Sequence, residues 1–213
     1  MYKYLLFDLD GTLTDPAIGI TNSVMYSLRK FGIDVADRTS LYKFIGPPLK
    51  SSFEKFFNFS SEKSELAVEY YREYFKVKGL YENEVYDGIT DLLAQLKESG
   101  KSLIVATSKP EPFALEILRH FKLRDYFDFV AGATMDETRN KKADVIKYAL
   151  DSCGISDPSD AIMIGDREHD IMGAVKNGLD SIGVLFGYGN FDELKNAGAT
   201  FIAEKPLDIL KYV

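Results

Sequence analysis

Cysteine is almost missing from this chain: of 213 residues only Cys153 is one. No intramolecular disulfide can form, so stability has to come from an ordinary core. Cys153 ends an apolar helical pattern just before Gly154 and is expected to serve as buried packing. Long apolar runs are missing too, none approaching the roughly 20 residues of a membrane-spanning helix. Nor is there an excess of basic charge. The formal net charge is −7, which argues against nucleic acid or an anionic membrane as the main partner. A small anionic substrate is not excluded, because local cations decide binding inside a site. Histidine is scarce, and neither His120 nor His169 is assigned a role. The chain opens with Met1-Tyr2-Lys3-Tyr4 and passes directly into an apolar run. No signal peptide is therefore expected, and a cytoplasmic, reducing location is the expectation.

What is present is the composition of a globular protein, 46% hydrophobic and 28% charged. The length suits one full α/β domain plus a smaller accessory one. Tyr4-Leu5-Leu6-Phe7 is a short apolar run that reads as a buried parallel strand. Similar runs recur at Leu103–Ala106, Ala161–Ile164 and Ser181–Leu185, with a weaker one at Phe127–Ala131 and an edge strand at Thr200–Ile202. Helical patterns lie between them, such as Ile89, Leu92, Leu93 and Leu96 before Gly100. This alternation predicts a doubly wound parallel sheet.

One stretch departs from it. From Asp15 to about Gly79 only helical patterns occur. Asp15-Pro16 reads as N-cap and first position of a helix bearing Ile20, Val24, Leu28 and Phe31. Leu49, Phe53, Phe56 and Phe57 suggest another, and Ala67, Tyr70, Tyr71, Tyr74 and Phe75 a third, entered through Ser60. The division expected is a core of residues 1–14 and 82–213 with a helical cap of residues 15–81, a lid over the first strand's carboxyl end. Phe44-Ile45-Gly46-Pro47-Pro48-Leu49-Lys50 makes a rigid turn in the cap and is expected to read substrate, with Lys50 as an anion contact.

Active sites of parallel α/β sheets lie at the carboxyl ends of the strands. The first strand delivers Asp8 and Asp10 there, the second Thr107-Ser108-Lys109, and the third Gly165-Asp166 with Asp170 beyond. Asp8 and Asp10, two apart in extended chain, face the same way. So many carboxylates cannot all ionise in one cleft without a cation, and hard oxygen ligands suit Mg²⁺. With the charge neutralised, one Asp can attack phosphorus and a second act as general acid and base. Thr107 or Ser108 could hydrogen-bond the phosphoryl group, and a lysine could balance its charge.

These residues resemble the motifs of the haloacid dehalogenase superfamily. Asp8-Leu9-Asp10-Gly11-Thr12 is similar to the first motif, Thr107 to the second, Lys142 at a helix start to the third, and Gly165-Asp166 through Asp170 to the fourth. The resemblance implies that Asp8 forms an aspartyl-phosphate and that Asp10 protonates the leaving group and then activates water. It implies Mg²⁺ held by Asp8, the backbone carbonyl of Asp10 and Asp166, with Asp170 in support. It also implies phosphoryl binding by Thr107 and Lys142, with Ser108 standing where many relatives carry Asn. Lys141 competes with Lys142 for the third motif; Lys142 is preferred because it opens the helix's first turn. Asp10 separates this chain from the metal-free dehalogenases, which lack that acid.

The expected activity is thus hydrolysis of a small phosphorylated metabolite, of phosphoglycolate or nucleoside monophosphate type, in the phosphoglycolate phosphatase-like and 5′-nucleotidase-like branch. The alternatives are a phosphomutase of the β-phosphoglucomutase type and a non-catalytic regulatory protein on the same scaffold. Oligomeric state is not readable from these residues.

Overall fold

The computed structural model describes residues 2–136 and 138–213. The chain divides into two compact units, one of Met1–Asp15 with Val85–Val213 and one of Pro16–Glu84. In the first, the strands of the main sheet are β1 (Tyr4–Phe7), β2 (Ser102–Pro110), β3 (Phe129–Ala133), β4 (Ala161–Gly165), β5 (Asp180–Val184) and β6 (Phe201–Ala203). Among the described residues they form one parallel sheet in the order β3-β2-β1-β4-β5-β6. The doubly wound α/β architecture is therefore the one the alternation predicts. Leu5, Leu6 and Phe7 in β1 and Ile162, Met163 and Ile164 in β4 are all 0% exposed. That explains why these strands read as unbroken apolar runs: helices cover both faces of a parallel sheet.

The weaker run is a strand displaced toward Ala133. Phe127 instead closes a turn, its N–H donating to the Arg124 carbonyl. Helices Ile89–Glu98, Glu111–His120, Lys142–Ser152 and Glu168–Lys176 alternate with the strands. Cys153 is half-buried rather than buried, because it caps the Lys142–Ser152 helix at the rim of its core cluster. From β1 the chain builds β2 and β3 on one side, then crosses over to build β4, β5 and β6 on the other. The direction reverses between β1 and β4, and at such a point the carboxyl ends open a crevice.

The second unit is helical. Ala17–Arg29, Leu49–Phe57 and Ser61–Tyr74 form helices, and Arg38–Phe44 forms a 3₁₀ segment. Ser60 caps the third helix as expected, its side chain accepting the Lys63 N–H. Asp15 does not cap the first. Pro16 is the N-cap, with no side-chain hydrogen bond, and the Asp15 carboxylate accepts the Tyr188 hydroxyl instead. Gly46 in the Gly-Pro-Pro turn has φ 98°, a conformation that favours glycine. Lys50, expected as an anion contact, pairs with Glu65 at 2.6 Å.

Inside this unit Gly19 lies against Gly79. A Cβ on Gly19 would stand 2.0 Å from the Gly79 carbonyl oxygen. The Gly19 N–H also donates to the Glu82 carbonyl at 2.8 Å. Gly19→Ala must push these backbones apart and should destabilise the protein by about 1–3 kcal/mol. A lowered urea midpoint would register this; an unchanged midpoint would show that the backbones separate freely.

Candidate active site

Burying a charge is costly unless it is paired, so buried charges are few and informative. Among the described residues, the buried charged side chains are Asp8, Asp10, Lys109, Lys142, Asp166 and Asp170. All six belong to one cluster at the carboxyl ends of β1, β2 and β4, on both sides of the reversal point.

Asp8 follows β1 directly, its N–H extending the ladder to the Ile164 carbonyl at 2.9 Å. One of its carboxylate oxygens accepts the Leu9 N–H at 2.7 Å. The chain then folds back tightly, with the Leu13 and Thr14 amides donating to the Leu9 carbonyl and the Gly11 amide to the Thr14 carbonyl. Gly11 has φ 83°, and a Cβ there would lie 2.3 Å from an Asp166 carboxylate oxygen. Glycine is required both for the turn and for the close approach to Asp166.

β2 loses its regular register at its end. Ala106 pairs with Ala131, yet Pro110 pairs with Ala133, so extra residues bulge out between them. Such bulges re-aim side chains, and this one carries Thr107, Ser108 and Lys109. Thr107 is buried, and its hydroxyl oxygen accepts the Lys109 N–H at 3.2 Å; Ser108 is half-buried. The Lys109 ammonium spans both Asp10 oxygens, at 2.5 and 2.6 Å. Burial pushes the Asp10 carboxyl above its ordinary pKa range, and the Lys109 charge opposes that rise without cancelling it.

Lys142 opens its helix from a buried position, while Lys141 before it is extended and exposed. The Lys142 ammonium lies 2.7 Å from Asp8 and 2.9 Å from Asp170 and donates to the Ala106 carbonyl at 3.0 Å. Burial alone would lower its pKa; the charges of Asp170 and Asp8 outweigh that and hold it above the usual lysine range. Asp170 also accepts the Arg167 N–H at 3.0 Å, which fixes the start of the helix.

Asp166 ends β4 with 0% exposure. One of its oxygens accepts the Tyr188 N–H at 2.8 Å. Gly187 and Gly189 allow this loop to approach: a Cβ on Gly189 would sit 1.9 Å from the Asp166 carbonyl oxygen, and one on Gly187 2.2 Å from that of Gly11. Burial, then the charges of Asp170 and Asp8, raise Asp166 well above the carboxylate range. The Tyr86 phenol, hydrogen-bonded to Tyr188, is raised as well, by burial and by the charges of Asp15 and Asp166, and stays protonated.

The site therefore brings together Asp8, Asp10, Thr107, Lys142 and Asp166, with Asp170 as a full member. Three residues that sequence reasoning gave no role join them: Lys109, Tyr188 and Tyr86. Lys109 stands two residues beyond Thr107 in extended chain, and Tyr188 is flanked by glycines that mark a close backbone approach. Tyr86 carries no such signal.

One oxygen each from Asp8, Asp166 and Asp170 lies within 4.8 Å of the others. The Asp10 carboxylate is instead engaged by Lys109. Four buried carboxylates face two buried ammonium groups, leaving two negative charges over. This hard-oxygen cluster with its unmatched charge fits a divalent cation of the Mg²⁺ kind.

Residues 5–184 match the family described as haloacid dehalogenase-like hydrolase. A 5′-nucleotidase of Pseudomonas aeruginosa is 49% identical over 194 residues, which span 91% of this chain and 87% of that protein. The tyrosine-protein kinase PtkA of Mycobacterium tuberculosis is 38% identical, over 94% of this chain and 68% of that protein. The crystal structure of a predicted phosphatase from Clostridium acetobutylicum has a TM-score of 0.95 and 55% identity, covering 99% of both chains.

Proposed function

Because this chain belongs to the haloacid dehalogenase-like hydrolase family and is a phosphatase of that family, we propose that it hydrolyses small phosphomonoesters through Asp8, with Mg²⁺ as cofactor. The observation that carries this reading is the collection of buried charge into one cluster at the strand ends, with two negative charges in excess.

The Asp8 carboxylate attacks phosphorus, the bond to the leaving oxygen breaks, and Asp10 delivers a proton to that oxygen. Water then loses a proton to Asp10 and attacks the aspartyl-phosphate, releasing phosphate and restoring Asp8. Lys142, which pairs with Asp8, and the Thr107 hydroxyl on the bulge of β2 bind the phosphoryl oxygens, and Ser108 is the further hydroxyl on that bulge. Asp8 and Asp166, with Asp170 in support, would hold Mg²⁺, which would supply positive charge that lets an anionic nucleophile meet an anionic phosphate. Burial of the cluster strengthens each of these interactions by excluding water.

The substrate class that the reading favours is the nucleoside monophosphate, on the strength of the 5′-nucleotidase of Pseudomonas aeruginosa; phosphoglycolate is the other candidate. The test is phosphate release from p-nitrophenyl phosphate, then from a panel of nucleoside monophosphates, phosphoglycolate, pyrophosphate and sugar phosphates. Release should require Mg²⁺ and stop with a chelator. Undiminished turnover after exhaustive chelation would overturn the metal assignment.

A second reading is transfer of the phosphoryl group to a hydroxyl other than that of water, which the 38% identical tyrosine-protein kinase favours. Label from a phosphate donor would then appear on an acceptor, a protein tyrosine or a sugar, in place of free phosphate.

A further inference from the structure

The two buried lysines pair with three of the four buried carboxylates and leave Asp166 to neither. Lys142 meets Asp8 and Asp170; Lys109 meets Asp10 through both carboxylate oxygens, with the side chains 4% and 12% exposed. A buried ion pair is weak evidence of a stability device, because its desolvation cost offsets most of the attraction. Placement points the same way. Lys109 lies on the bulged end of β2, two residues from the Thr107 hydroxyl that accepts its amide. Asp10 in this arrangement has both oxygens accepting from an ammonium, so neither is available to carry a proton toward a leaving group. Something must draw the ammonium off. A phosphoryl group bound beside Thr107 brings anionic oxygens to the same strand end.

We infer that Lys109 is the positioning residue of the acid–base group: it holds Asp10 in place before substrate binds, then shifts onto the phosphoryl oxygens and frees one Asp10 oxygen, which takes up a proton from water and passes it to the leaving oxygen. This rests on the assignment of Asp8 and Asp10 made above. It extends that assignment by giving the general acid a substrate-released latch.

The test is leaving-group dependence. Nitrophenolate leaves without needing a proton, whereas an alkoxide does not, and general acid catalysis is worth roughly 10²–10⁴-fold. Lys109→Met and Asp10→Asn are each compared with the wild type on p-nitrophenyl phosphate and on β-glycerol phosphate. Asp10→Asn should lose at least about tenfold more kcat on the alkyl ester than on the aryl ester. Lys109→Met should show the same asymmetry, and the double variant should be no worse than Asp10→Asn alone. Equal losses on both esters in Lys109→Met, with the asymmetry intact in Asp10→Asn, would overturn the role of Lys109 alone. Absence of the asymmetry in Asp10→Asn would overturn the underlying assignment instead. Turnover of the aryl ester reports that the site has folded. Should Lys109→Met fail to fold, Lys109→Gln, which keeps one hydrogen bond to Asp10, carries the same comparison.

Discussion

Asp8→Asn should abolish phosphate release from every substrate, by at least about 10⁴-fold in kcat, in keeping with removal of an enzymatic nucleophile. The replacement is isosteric. Its side-chain oxygen can still accept the Leu9 N–H, and Lys142 keeps its contact with Asp170, so the fold should survive. One negative charge also leaves a cluster that carries two too many, so metal-free stability should hold or rise. Asp8 is a candidate metal ligand as well as the candidate nucleophile, and the two roles separate on Mg²⁺ titration. If Asp8 only held the metal, raising Mg²⁺ would restore turnover by mass action. If Asp8 attacks phosphorus, no concentration does. Recovery of activity at high Mg²⁺ would therefore sink the nucleophile assignment while leaving the metal site standing.

The second large effect is on stability. Lys142→Met should cost about 3–5 kcal/mol in metal-free buffer, because it strips the ammonium from two buried carboxylates at once. Lys142 also donates to the Ala106 carbonyl, so the substitution frees the end of β2 beside Thr107, and activity should fall with stability. Adding Asp170→Asn to Lys142→Met removes one stranded charge and should return about 1–3 kcal/mol while restoring no activity. Denaturant midpoints of the single and double variants decide this. Were the double variant no more stable than the single, the cost would lie in lost packing of the lysine stem and not in unpaired charge. Mg²⁺ should narrow the gap between Lys142→Met and wild type, since a cation offsets the same carboxylates.

How much of this could be read beforehand follows the range of the forces involved. Strands β1, β2 and β4 were legible because a buried parallel strand must be apolar along its whole length. Asp8, Asp10, Thr107 and Asp166 were legible because each follows such a run by one or a few residues. The start of β3 was misread because an apolar Phe127 serves a turn as readily as a strand. Asp15 was misread because a carboxylate before Pro16 looks like a cap, and only the fold brings Tyr188, 173 residues away, to compete for it.

By itself, then, the sequence determined the α/β alternation, the helical insertion and the chemical kinds of group at the strand ends. Each of these depends on the hydrophobicity and spacing of neighbours along the chain. The tertiary structure turned the preference for Lys142 over Lys141 into a contact with Asp8 and set Asp170 directly beside Asp8 and Asp166, and it alone decided that Lys109 holds Asp10 across 99 residues of chain. Charge pairing acts through space, over distances that only the folded backbone sets, and burial then multiplies its strength. Which charges meet is invisible in residue order for that reason.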